Sequence, residues 1–161
     1  MVATSIDMSA PNEQRSSRIG VDTRLYFLIG VATIFGIGHH LDHIVRGNHV
    51  GWPLIPEVTV FTYTLLIYPI IVAGVYLTMT ERVGVGYWSI VLGGILFAVV
   101  VTHFGPWATE PPQDVIEPYE SVYLGYAAFG WLLGLVISLV TATTYSVYRW
   151  IVARGPSSFD T

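Results

Sequence analysis

No cysteine and no lysine occur in this 161-residue sequence, and charged side chains of every kind make up only 11% of it. Without cysteine there is no disulfide, thiol redox pair, iron–sulfur cluster, zinc finger or C-x-x-C-H haem attachment, which excludes the quinone-linked disulfide oxidoreductases. Without lysine there is no retinal or pyridoxal Schiff base and no P-loop lysine, so light-driven pumps and P-loop machines are excluded as well. The formal net charge is −4 and no basic run exists, so no nucleic acid is expected as a partner. A soluble chain is about one-quarter charged. This one has less than half of that share and is 53% hydrophobic, the profile of an integral membrane protein.

Hydropathy supplies four candidate spans, about Leu25 to Val45, Val58 to Met79, Tyr87 to Phe104 and Tyr119 to Ile151. Each is near or above the roughly 20 residues that cross a hydrocarbon core about 30 Å thick. The pattern predicts an all-α, integral membrane four-helix bundle. It divides into a flexible cytoplasmic tail at 1–22, the four-span transmembrane bundle at 23–152 and a cytoplasmic tail at 153–161. The polar start of the chain lacks the short basic region and small-residue cleavage site of a signal peptide, so the chain is expected to be retained whole. Pro69 is expected to kink the second span. In the fourth span Gly130 and Gly134 are expected to pack closely, on a small and polar stripe of Glu120, Tyr123, Ala127, Gly130, Gly134, Ser138 and Thr141 facing the interior.

Arginine placement sets the orientation. Arg15, Arg18 and Arg24 precede the first span, Arg82 lies between the second and third, and Arg149 and Arg154 close the fourth; only Arg46 falls on the other side. The positive-inside rule therefore puts the N and C termini in the cytoplasm and the first and third loops outside. The third loop, residues 105–118, holds four prolines and reads as a stiff cap. Trp52, Trp88, Trp107, Tyr87, Tyr119 and Trp150 fit an interfacial aromatic belt, while Tyr63, Tyr68 and Tyr126 are expected deeper, in the core.

Four of the five histidines lie in one stretch, Gly36-Ile-Gly-His39-His40-Leu-Asp42-His43-Ile-Val-Arg46-Gly-Asn-His49, at the outer end of the first span. At about 100° per residue His39, Asp42, His43 and Arg46 share an arc near 100° wide, with His40 roughly 60° beyond His43. The third span also ends outside, at His103. At 1.5 Å per residue His39 lies about 22 Å from Arg24 and His103 about 24 Å from Tyr87, one layer just below the outer edge of the core.

Ionisable groups are costly at that depth, so their convergence points to a functional site on the extracytoplasmic side of a multi-pass cell-membrane protein. Imidazole and carboxylate suit Zn²⁺, Cu²⁺ or Fe, while the lack of cysteine and nearby methionine argues against Cu(I). The expected ligands are His39, His43 and His103, with Asp42 as a fourth ligand or as the acceptor that orients an imidazole. Arg46 would hold that carboxylate ionised or bind an anionic ligand. His40, His49 and Glu120 are further candidates. Their plainer readings are an interfacial anchor for His40 and a solvated loop residue for His49. The spacing is not H-E-x-x-H, so the zincin base geometry is absent.

Three functions fit these residues. The first is a membrane protein with a His/Asp transition-metal site, and a membrane metalloenzyme if the ion keeps an open position. The second is a bis-His haem b electron-transfer protein with His39 and His103 as axial ligands. The third is an accessory subunit of a larger membrane complex, or a homo-oligomer, in which the histidines only tie the cap together.

Overall fold

The structure, a computed structural model, describes residues 22–47 and 60–154. The tails at 1–21 and 155–161, and the stretch 48–59 with His49 and Trp52, lie outside the described residues. The described residues form helices and no strand: α1 (Thr23–Val45), α2 (Val60–Thr64), α3 (Ile67–Met79), α4 (Val85–Phe104), α5 (Pro112–Ile116) and α6 (Val122–Ala153). Four helical segments are long and apolar enough to cross a membrane, with α2 and α3 together making the second, Phe61–Met79.

Long α6 is the backbone of the bundle. Helices α1 and α4 both pack along it, α5 lies against its first turns, and α3 touches only α4 to any extent. Buried positions recur every three or four residues, as a helix with one packed face requires. In α6 they are Gly125, Leu132, Leu135, Ser138, Leu139, Ala142 and Ser146, and in α1 they begin with Leu25, Ile29 and Ala32. At two α1–α6 crossings glycine allows close approach. A Cβ on Gly134 would lie 2.4 Å from the Phe35 ring, and one on Gly38 would lie 2.4 Å from the Trp131 indole. Trp131 also donates its Nε1–H to the Phe35 carbonyl at 2.8 Å.

Several expectations change. The small and polar stripe expected to face the interior of α6 does so only in part. Gly134 packs against Phe35 and Ser138 is buried. Ala127, Gly130 and Thr141 are exposed, Tyr123 is 84% exposed, and a Cβ on Gly130 would meet nothing within 4 Å. Small residues lie on both faces of α6, with Gly125, Ala142 and Ser146 buried as well. Trp88 leaves the aromatic belt: it is wholly buried and donates to Thr78 Oγ1 at 2.9 Å. Tyr63 and Tyr126 face outward, at 50% and 61% exposure.

Pro69 does more than kink the second span. It has no N–H for the Leu65 carbonyl, so the helix breaks into α2 and α3 at Leu65–Leu66, and the Tyr68 N–H takes that carbonyl at 3.2 Å. The α3–α4 connection is a Schellman turn with Glu81 at φ 58°. The Arg82 N–H reaches the Leu77 carbonyl at 2.8 Å and the Glu81 N–H that of Thr78 at 3.0 Å.

The two ends of α1 are fastened differently. At its start Asp22 caps the Leu25 N–H at 3.0 Å and also accepts from Tyr145 and Arg149 of α6. Partial burial pushes the Asp22 carboxyl up, but the donors around it outweigh that and hold it below its ordinary value. At its far end α1 meets the histidine cluster.

Candidate metal centre

The histidines continue the buried stripes of their helices. On α1 the packed face steps from Leu25, Ile29 and Ala32 through Gly36 to His39 and His43, and all but Gly36 are buried. On α4 the same stepping runs from Leu92 past Leu96 and Val99 to His103. The regularity that puts leucine in the core below therefore aims three imidazoles at one another above. His39, His43 and His103 are 5%, 8% and 2% exposed, and their ligand atoms all lie within 4.8 Å of one another.

The contacts are nitrogen to nitrogen. His39 Nε2 lies 3.2 Å from His103 Nε2 and 3.1 Å from His43 Nε2. The His103 Nδ1–H donates to the Glu110 carbonyl oxygen at 2.8 Å, which can only accept. In a neutral ring that leaves His103 Nε2 as a bare lone pair facing the cluster. A second partner fixing the tautomer in this way is what metal-bound histidines ordinarily have.

Proton counting then constrains the trio. Each ring nitrogen holds in its plane one proton or one lone pair, never both. His39 Nε2 can donate to a neighbour or accept from one, yet it stands at hydrogen-bond distance from two. A cation at the centre takes all three lone pairs and removes the conflict. Three ligands around a tetrahedral ion with bonds of about 2.0–2.1 Å stand about 3.3–3.4 Å apart, close to the two separations that His39 makes.

Beside the trio is a buried ionic array. The Arg46 side chain is 0% exposed and donates from Nε to Asp42 Oδ2 at 2.9 Å and from Nη1 to Glu110 Oε1 at 2.8 Å. Nη1 also reaches the Asp114 carbonyl at 2.8 Å, drawing the third loop onto the end of α1. Tyr119 donates to the other oxygen of Asp42 in a short hydrogen bond. Burial and that bond to an ionised carboxylate push the Tyr119 hydroxyl up to about 12. Glu110, 4% exposed, places Oε2 at 3.4 Å from His43 Nε2. Burial pushes its carboxyl up against the opposing pull of Arg46.

The expected residues therefore separate. His39, His43 and His103 come together. Asp42 and Arg46 lie next to them but face each other, with both Asp42 oxygens engaged. His40 turns away, with Nδ1 at 2.6 Å from the Tyr68 hydroxyl and 2.9 Å from the Gly36 carbonyl, and Nε2 at 3.0 Å from Thr64 Oγ1. Glu120 is exposed, and His49 lies outside the described residues.

Glu110 is the residue that the sequence did not single out. It sits in an irregular loop among prolines, where no periodicity aims a side chain. What delivers it is tertiary: its N–H bonds the Thr102 carbonyl at 3.1 Å, folding the loop back over α4. Val115 of α5 is wholly buried. A Cβ on Gly125 would lie 2.3 Å from the Ile116 carbonyl oxygen, so α5 sits directly on the α6 backbone.

Compared with known proteins, the chain matches no family model, no curated protein and no solved structure.

Proposed function

We propose that this chain is a multi-pass membrane metalloprotein whose Nε2 atoms of His39, His43 and His103 bind one first-row transition ion, Zn²⁺, Cu²⁺ or Fe. The observation that carries the reading is the convergence of three buried Nε2 atoms at 3.1 and 3.2 Å from a common member, with the far side of His103 already tied to a carbonyl. Three nitrogen ligands on two helices leave a fourth position for a protein carboxylate, water or an exogenous ligand, and the ion supplies Lewis acidity there. The arginine asymmetry supports placing this centre on the extracytoplasmic side of the cell membrane.

A bare ion suits the geometry better than haem. Axial nitrogens on opposite faces of a haem iron stand about 4 Å apart, twice the usual metal–nitrogen distance. His39 and His103 are at 3.2 Å with their rings nearly perpendicular, and His43 occupies the same space. An ion also explains the trio better than a purely structural cluster does, since without one the single proton or lone pair of His39 Nε2 is divided between two neighbours.

Elemental analysis together with an optical spectrum, on detergent-purified protein, tests the reading. One transition ion per chain and no porphyrin absorption is the expected result. A sharp haem α-band, or protein lacking any ion after incubation with Zn²⁺, Cu²⁺ and Fe²⁺, overturns it.

A further inference from the structure

We propose that Glu110 completes the centre as its anionic ligand, with Arg46 as the residue that positions it, so that the site is a closed His₃–Glu set bound to the outer loop. The inference rests on the metal reading above and extends it to a residue outside the histidine trio. Glu110 Oε1 is held by Arg46 at 2.8 Å, and Oε2 lies on the histidine side at 3.4 Å from His43 Nε2. Two ligands of one ion, with bonds of about 2.0–2.2 Å, stand about 3.3–3.5 Å apart. Glu110 is not within the distance that unites the three imidazoles. Rotation of its side chain, with Oε1 still on Arg46, is the movement the ion would draw from it.

Charge points the same way. Arg46 brings one positive charge to two carboxylates, Asp42 and Glu110, and all three side chains are at most 9% exposed. Glu110 Oε2 also lies 3.4 Å from His43 Nε2 and 3.8 Å from His103 Nδ1, so two carboxylates, one guanidinium and the imidazoles share a buried place where charge has to be balanced. A divalent ion coordinated on one side by the imidazoles would bring positive charge to it. Of the two carboxylates Glu110 is the one that faces the imidazoles, whereas Asp42 gives one oxygen to Arg46 and the other to Tyr119. Asp42 and Tyr119 then hold Arg46, and Arg46 holds Glu110.

Coordination by Glu110 also makes ion binding and loop docking one event. The same residue presents its carboxylate to the ion and its carbonyl to His103 Nδ1, while its N–H closes on Thr102.

The test is Co²⁺ binding to the full chain in detergent, wild type against Glu110→Gln. Glutamine keeps an oxygen for Arg46 but removes the anionic ligand. The wild type is expected to bind one Co²⁺ with the strong visible bands of four-coordinate cobalt. Glu110→Gln is expected to bind at least about 100-fold more weakly, with altered bands. An unchanged spectrum and affinity in the variant overturns the role of Glu110 while leaving the histidine site standing. No Co²⁺ binding by the wild type overturns both. Should the variant not fold, wild-type chain labelled with ¹³C-glutamate decides the matter by infrared difference spectroscopy. A shift of a carboxylate stretch on Co²⁺ loading supports the assignment, and its absence refutes it.

Discussion

His39 is the residue on which the two explanations of the cluster differ most, because it touches both other imidazoles. If the trio binds an ion, His39→Gln removes one ligand of three. Four-ligand structural zinc sites bind with apparent free energies of about 10–16 kcal/mol, or roughly 2.5–4 kcal/mol a ligand, so affinity should fall about 10²–10³-fold. An ion present at about a thousand times its dissociation constant adds roughly 4 kcal/mol to wild-type stability. For a chain of this size that corresponds to a rise in Tm on the order of 10 °C. The assay is thermal unfolding in detergent of wild type and His39→Gln, each with added ion and with chelator. The wild type should lose the increment on chelation, whereas the variant, left at about 1–10 times its own dissociation constant, should lose only about 0.4–1.4 kcal/mol, a few degrees at most. Chelated variant and chelated wild type should lie close together, since the substitution removes only contacts between ring nitrogens that share one proton or lone pair. The reasoning is refuted if chelation leaves the wild type unmoved and His39→Gln alone lowers its Tm, as it would were the histidines simply a hydrogen-bonded core.

The remaining expectations concern the scaffold. Gly38→Ala should destabilise by about 1–3 kcal/mol by driving a methyl into the Trp131 indole. Gly130→Ala, which meets nothing within 4 Å, should be neutral or stabilising; equal melting shifts for the two would contradict the α6 register. Glu81→Gly should stabilise by ~1 kcal/mol, because glycine takes the positive φ at the end of α3 without steric cost; a lower Tm would count against it. Asp22 has its folded-state pKa below its unfolded one, so its contribution is full above the ordinary carboxylate range and disappears as pH falls through the lowered value. Melting curves from neutral pH downward should accordingly show a smaller acid-induced loss in Asp22→Asn than in wild type, and parallel curves would refute the linkage.

What the sequence made legible follows what repeats. Helical spacing put His39 and His43 on one face and depth counting put His103 level with them, because a helix rises by a fixed amount per residue. The same regularity was only half informative on α6. Of the small and polar positions that recur there, Gly134 and Ser138 pack inward while Ala127, Gly130 and Thr141 face out, because helical spacing alone does not set which side of a broad stripe meets lipid. Asp42 looked like a ligand because it shares the histidine arc. Its partner was decided instead by Tyr119, seventy-seven residues away, and by Arg46 one turn on. Glu110 had no pattern to announce it, since loops place side chains through contacts that only the assembled fold contains.

The packing gives a reason for an ion at this end of the bundle and not the other. Helices α1 and α4 each lie along α6 and not along one another, and at the start of α1 Asp22 ties it to Tyr145 and Arg149 of α6. Toward its other end α1 keeps the Trp131 hydrogen bond to Phe35 and the close Gly38–Trp131 contact with α6. There α1 and α4 reach across to each other with imidazoles, side chains long enough to span the gap and too polar to do so by apolar contact. Lipid cannot drive such a junction, because hydrocarbon tails reward apolar side chains as much as a protein core does. A bond between the two helices has to be specific, and an ion held by two residues of α1 and one of α4 would provide it. Arg46 fastens the loop over the top through Glu110 and Asp114, and beneath it the three imidazoles are buried.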